Sequence, residues 1–433
     1  MRSKKPVLRV PFLRLPLLSA LLGAAILVGP ARAGENFTTF IKSADMSQAY
    51  ALSYAGSPSN FPWDAVTPSD VNKPFADLKA NGANYVRLNC WSTSGGDTHM
   101  NITQMKTLAL IAKGNHGLKL YIDAIPADGS GAFGDCPAAW QADWVTATQN
   151  GTNFNWDSTR GAALAADVKA YYQNIVTQLA GQGTPADIVS IGNEINTRFV
   201  NVPSETSLYY ELVYKGAAGV KVADSSVAVL LHIADIGSSQ WTHCRNLAQA
   251  NSRYGTPDIN FDAFGFSFHA WLNPLDNPSW LGSNCLSSNG QTIGLKQAFQ
   301  SENMGQFTNK TNGKSINLLV AETGWIWTTT EEIVNGVSQH ITHTTMDMQN
   351  SGPFTTYQLD PSGYRQYLID ECTIVKGMND GLGKGVNDWA GSVISGWGTG
   401  HGDWNMAFWD SATGALKTTA TNHYPIISAF SGF

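Results

Sequence analysis

A (β/α)8 barrel is the fold this sequence predicts, and three observations predict it. Short runs rich in β-branched and aromatic residues recur along the chain. Stretches with helical periodicity separate them, the order expected of a parallel sheet covered by helices. The glycine-rich phosphate turn that marks an open doubly wound sheet follows no early run.

The elements can be assigned in order. The first strand is expected around Ser43–Ala49 and the second over Ala83–Cys90, where Tyr85, Val86 and Leu88 supply the apolar content. The third covers Leu118–Ala124, after an amphipathic segment Ile102–Lys113 that Gly114 is expected to stop. A long helical pattern, Ala162–Ala180, leads to the fourth strand at Asp187–Glu194. The fifth, sixth and seventh strands fall at Ser226–His232, Ala263–His269 and Ile316–Glu322, and the eighth at Gly391–Trp397. A barrel of this type takes about 250 residues. The surplus of the 433-residue chain is assigned to long loops, notably Pro126–Asn155, Trp271–Gln300 and Trp325–Ser362. No linker or second composition regime interrupts the pattern, so residues 34–433 read as one catalytic domain.

The first 33 residues read as an export signal. Basic residues up to Arg14 precede an apolar run from Leu15 to Val28, followed by Ala31-Arg32-Ala33. Fourteen apolar residues fall short of the roughly 20 that span a bilayer, so cleavage after Ala33 and secretion are expected, with no membrane attachment afterwards. Past that point 21 Lys and Arg face 33 Asp and Glu, a net charge of −12. Such a surface repels phosphate backbones and argues against nucleic-acid partners. The five cysteines form no CxxC pair, which disfavours structural zinc. An oxidising compartment would favour one or two disulfides, with a thiol left over.

Chemistry is expected at the C-terminal ends of the strands. Only nine glutamates occur in the chain, and two of them, Glu194 and Glu322, terminate apolar strand-like runs. A carboxylate there is costly to bury without a purpose. Two on different strands can flank one bond, as glycoside hydrolysis requires: one to donate a proton to the leaving oxygen, one to attack the anomeric carbon. Trp91, Trp325, Trp327, Trp397, Trp404 and Trp409 lie at or after strand ends, where indole faces suit sugar rings. Arg87 ends the second strand and can hold a carboxylate in position.

Three segments carry a family resemblance: Val189-Ser190-Ile191-Gly192-Asn193-Glu194-Ile195, Val320-Ala321-Glu322-Thr323-Gly324-Trp325 and Trp404-Asn405-Met406-Ala407-Phe408-Trp409-Asp410 with Gly414-Ala415-Leu416. Together they resemble glycoside hydrolase family 53, secreted retaining endo-β-1,4-galactanases on (β/α)8 barrels. Asp45 with Ser47, Val86-Arg87 with Trp91, Tyr121-Ile122-Asp123, His232 and Gly265-Phe266-Ser267-Phe268 match in order. The resemblance implies that Glu194 is the acid/base and Glu322 the nucleophile. Asn193 would bond the 2-hydroxyl of the sugar, and Arg87 would orient the nucleophile. It further implies substrate contacts from Asp45, Asp123, His232, His269, Trp91, Trp325, Trp397 and Trp404, a polysaccharide substrate, no cofactor and a monomer.

Three departures from the family pattern touch the substrate side: Asp123 is followed by Ala124, Ile125 and Pro126, Asn89 replaces a second Arg, and His269 replaces a Tyr. They leave open another β-linked polymer, such as mannan, glucan or a β-1,3-linked glycan, or a barrel that binds sugar without turnover. Asn379-Asp380 and Asn387-Asp388, in a glycine-rich stretch before the last strand, offer oxygen ligands for a structural calcium, but turn chemistry is the preferred reading and no metal site is assigned. His340-x-x-His343 reads as a solvated helix face.

Overall fold

The computed structural model describes residues 37–47, 49, 72–93, 101–128, 135–234, 238–268, 285–286, 292–293, 307–309, 313–324, 331–334, 337–340, 361–378, 381–389 and 426–433. All of them fall in the compact unit Ala33–Phe433.

Eight parallel strands form one sheet: β1 (Ile41–Ala44), β2 (Tyr85–Thr93), β3 (Lys119–Asp128), β4 (Ile188–Ile191), β5 (Ala228–Ile233), β6 (Ala263–Ser267), β7 (Asn317–Thr323) and β8 (Gly383–Asp388). Each pairs with its sequence neighbour, and β8 returns to pair with β1. Between β1 and β2 the Met46 N–H donates to the Arg87 carbonyl (3.0 Å) and the Asn84 N–H to Lys42 (3.0 Å), which closes the sheet into a barrel. The Asn84 side chain completes the seam, accepting from the Lys42 N–H and donating to the Phe40 carbonyl.

Helices cover the outside: α1 (Asn72–Ala80), α2 (Ile102–Ala109), α3 (Gln141–Thr148), α4 (Ala162–Gly181), α5 (Ser207–Ala223), α6 (Ser238–Ala248), α7 (Ala250–Tyr254) and α8 (Pro361–Lys376). The α2 segment does not stop at Gly114. It widens into a π-helical stretch, Leu110–Asn115, and ends where Gly117 takes a φ of 65°.

Strand alternation divides the apolar residues in two. Outward residues such as Val86, Ile122, Val229 and Val320 join the helices in the main core. Inward residues Ile41, Tyr85, Tyr121, Ile188, Leu230 and Leu319 form a separate plug, with Phe37. Above this plug, toward the C-terminal strand ends, the inward positions turn polar.

Seven strands lie where the sequence places them, within a few residues. The eighth does not: it is Gly383–Asp388, ahead of the expected Gly391–Trp397, which lies outside the described residues. Gly383 and Gly385 look like turn punctuation, yet their role is close approach. A Cβ on Gly383 would sit 1.8 Å from the Val375 carbonyl oxygen of α8, and one on Gly385 2.3 Å from the Ile41 Cβ. Asn387 and Asp388 are therefore strand residues and not the turn expected of them, and Asn379-Asp380 lies outside the described residues. The Asn387 amide donates to the Ala321 carbonyl (2.9 Å), and Asp388 accepts from the Tyr364 hydroxyl. His340 ends a hairpin strand, Val337–His340 against Glu331–Val334, so the helical-face reading fails there. Cys90, Cys244 and Cys372 are buried free thiols, which rules out two disulfides.

Candidate active site

Arg87 is the centre of the polar layer. It is 1 % exposed, and β2 alternation aims it inward from the layer above Tyr85. Its Nη2 lies 2.6 Å from Asp123 Oδ2, 2.6 Å from Glu322 Oε1 and 3.0 Å from Asn193 Oδ1, while Nη1 lies 3.2 Å from Asp45 Oδ2. The Tyr121 ring lies 5.7 Å from the guanidinium carbon. One cation thus serves three buried carboxyls. Burial opposes the Arg87 charge, but the surrounding Asp123 and Glu322 outweigh it and push its pKa further up.

Asp45 is the carboxyl for which that charge does not suffice. Burial raises it to about 6, against the lowering pull of Arg87 and of the Ser47 N–H at 2.9 Å. Because the folded-state value is the higher one, its contribution to stability is complete below about pH 4 and is lost as pH rises through 6. Asp45→Asn, which keeps an acceptor for Ser47, is expected to flatten that loss by up to about 3 kcal/mol. Urea unfolding of both proteins from pH 4 to 7 measures the difference.

The two glutamates reach this layer by different backbone devices. In β7, Leu319 points inward and Val320 outward, so strict alternation would aim Glu322 at the helices. A β-bulge prevents it: Val320 pairs with Phe266 and Glu322 with Ser267, leaving Ala321 without a β6 partner. Ala321 and Glu322 therefore both face inward, while Thr323 turns out to the Tyr367 hydroxyl of α8 (2.7 Å). The Asn387 amide supplies the hydrogen bond that the Ala321 carbonyl would otherwise miss.

Glu194 lies beyond its strand. β4 ends at Ile191, Gly192 takes a φ of 69°, and Glu194 itself has a φ of 51°, in the left-handed region. That conformation is costly for a residue with a Cβ. It brings the half-buried Glu194 carboxylate to Ser267, whose hydroxyl donates to Oε1 at 2.6 Å. The Ser267 proton is thereby committed, so His232 Nε2, 3.0 Å away, donates to the Ser267 oxygen. His232 is wholly buried, and burial lowers its pKa.

The structure thus brings Arg87, Asp45, Asp123, Asn193, Glu194, His232 and Glu322 together at the C-terminal end of the barrel. Trp91 is 9 % exposed and packs on Ile125 and Ala127 at the β2–β3 rim. His269, Trp325, Trp397 and Trp404 lie outside the described residues. Sequence reasoning missed Ser190, whose hydroxyl donates to Asp123, gave no role to Ser267, and read Asn387 as a turn residue. The period of two, run on from Ile188 and from Ala263 with Gly265, would have aimed both serines inward.

Asp123, His232 and Glu322 come close enough together to suggest a cation site. The donor set argues otherwise. Arg87 Nη2 stands 2.6 Å from both carboxylates, where it supplies the positive charge a metal would bring. What remains is a pair of carboxyl side chains at one rim: Glu322 buried and ion-paired, and Glu194 half-buried and hydrogen-bonded to a hydroxyl. That asymmetry suits attack by one and proton transfer by the other.

Comparison with known proteins points the same way. The family described as glycosyl hydrolase family 53 matches residues 41–421. An uncharacterized protein in the bgaB 5' region of Niallia circulans is 24% identical over 350 residues, 77% of this chain and 81% of that one. A probable arabinogalactan endo-β-1,4-galactanase A of Aspergillus flavus is 25% identical over 209 residues, 46% of this chain and 53% of that one. The alignment thus spans about half of the galactanase. Among solved structures, a GH53 catalytic domain of Ignisphaera aggregans superposes with a TM-score of 0.62 at 19% identity, covering 90% of this chain and 95% of that one.

Proposed function

The chain belongs to glycosyl hydrolase family 53 and is a glycoside hydrolase, and on that premise we propose that it cleaves β-1,4-galactan internally with retention of configuration. The observation that carries the proposal is the convergence of Glu194 and Glu322 on one polar layer, through Ser267 on one side and Arg87 on the other. In the first step a Glu322 oxygen forms a bond to the anomeric carbon as the glycosidic bond breaks. The proton of Glu194 passes to the departing oxygen. In the second step Glu194 takes a proton from water, whose oxygen displaces Glu322 and restores the original anomer. Asn193, whose Oδ1 accepts from Arg87, would bond the 2-hydroxyl of the sugar under attack.

The galactan assignment draws support from the Aspergillus flavus relative named above. A second reading, another β-linked polymer, draws on the β3 rim. There Ile125, one of the positions that depart from the family pattern, forms an apolar patch with Trp91 and Ala127. Export with removal of residues 1–33 belongs to the same proposal; among the described residues no helix is long and apolar enough to cross a membrane.

Reducing ends released from a panel of galactan, mannan, xylan and β-glucans identify the polymer. Proton NMR of the first product identifies its anomer. Galactan oligomers appearing first as the β-anomer are expected. Release from a different polymer would replace the galactan assignment, and an α-product would end the double-displacement mechanism.

A further inference from the structure

Behind Glu194 runs a polar chain that the two-step mechanism does not use. Ile195, the next residue, is held at both ends of its backbone. Its N–H donates to the His232 carbonyl (2.9 Å), and its own carbonyl accepts from the Tyr209 hydroxyl (3.0 Å). Tyr209 is fully buried on α5. Its hydroxyl also lies 3.0 Å from Nε2 of His243 on α6, and His243 Nδ1 lies 2.7 Å from Glu205 Oε1. The other Glu205 oxygen accepts from the Asn246 amide (2.5 Å) and the Tyr254 hydroxyl (2.7 Å).

Tyr209 has one hydroxyl proton and the Ile195 carbonyl takes it. His243 bridges the Tyr209 oxygen and Glu205 Oε1 through its two ring nitrogens. Burial works to raise the Glu205 carboxyl, but the hydrogen bonds from His243 and Tyr254 overcome it and hold it at about 2. The outer end of the chain is a fixed carboxylate near the surface. Its inner end is the peptide that follows Glu194.

We propose that Tyr209 and His243 are positioning residues for the proton donor: anchored on Glu205, they pin the Ile195 carbonyl and so keep Glu194 in its left-handed conformation, aimed at Ser267 and the barrel mouth. A φ of 51° is a conformation that the backbone leaves unless its neighbours hold it. Of the two groups of Ile195, the N–H is tied to a strand, while the carbonyl depends on the Tyr209 hydroxyl. The inference rests on the reading of Glu194 as the acid/base.

The test uses aryl β-galactobiosides with a good leaving group (2,4-dinitrophenol) and a poor one (phenol). Cleavage of the phenyl substrate needs a proton in place, whereas bond breaking in the dinitrophenyl substrate does not. Tyr209→Phe is expected to lower kcat on the phenyl substrate by roughly tenfold, in line with removal of other supporting hydrogen bonds at active sites. Its KM should hold, and glycosylation by the dinitrophenyl substrate should change less than twofold. Glu194→Gln should show the same pattern more strongly. If Tyr209→Phe does not fold, Glu205→Gln, near the surface, replaces it and is expected to act in the same direction. Equal losses on both substrates, or none, would overturn the positioning role while Glu194→Gln still discriminates. If Glu194→Gln does not discriminate, the acid/base assignment falls and takes this inference with it.

Discussion

Replacing Glu322 by alanine is expected to lower polymer turnover by roughly 10⁴-fold or more while the barrel remains folded. The size follows from removing the atom that bonds to the anomeric carbon; losses of this order accompany deletion of a nucleophile. Folding is expected to survive because Glu322 is one of three carboxyls around Arg87, and Asp45 and Asp123 stay to pair with it. The cavity left by the shortened side chain opens on the barrel mouth, where azide can enter. Azide should then restore cleavage of an activated aryl galactobioside and yield the α-glycosyl azide. Near-normal turnover in Glu322→Ala would remove it from the mechanism, and a β-azide product would place the nucleophile elsewhere.

The second large effect is on stability. Arg87→Met is expected to destabilise the protein by about 3–5 kcal/mol, because it strands three carboxyls that Arg87 pairs with among the described residues. Asp123 is fully buried, Asp45 is 4 % and Glu322 5 % exposed, so water cannot take over the screening. For a barrel of this size that corresponds to a fall in Tm of about 5 °C at neutral pH. The loss should shrink as the medium is acidified toward pH 5, since protonation of the stranded carboxyls removes their repulsion. Calorimetry at pH 7 and pH 5 reads both quantities. A destabilisation that did not depend on pH would mean that Arg87 acts mainly by packing against Tyr121.

Much of this was legible in the sequence because alternation and apolar runs are local properties. Seven strands could be found that way, and with them the strand ends that bear Arg87, Asp123, His232 and Glu322. The eighth strand was misplaced because its glycines answer to Val375 and Ile41, residues distant in the chain whose proximity no local pattern encodes. Ser267 went unassigned for a related reason: its importance comes from His232 and Glu194, on other strands. Glu194 was read as a strand terminus, although the chain has already left the ladder at Gly192. Nor did the sequence announce the Glu205–His243–Tyr209 chain, whose members are spread over 39 positions in the turn before α5 and in two helices.

The unpaired residue in β7 has a consequence for anyone who would redesign this scaffold. Were the pairing made regular with Ala321 kept, the lumen would receive Thr323 in place of the acid, and Glu322 would be driven toward Tyr367 and α8. The composition of the strand would be unchanged, yet the chemistry would be gone. Smoothing an irregular backbone is a usual route to tougher proteins; here the irregularity is the instrument that separates a hydrolase from an inert cylinder.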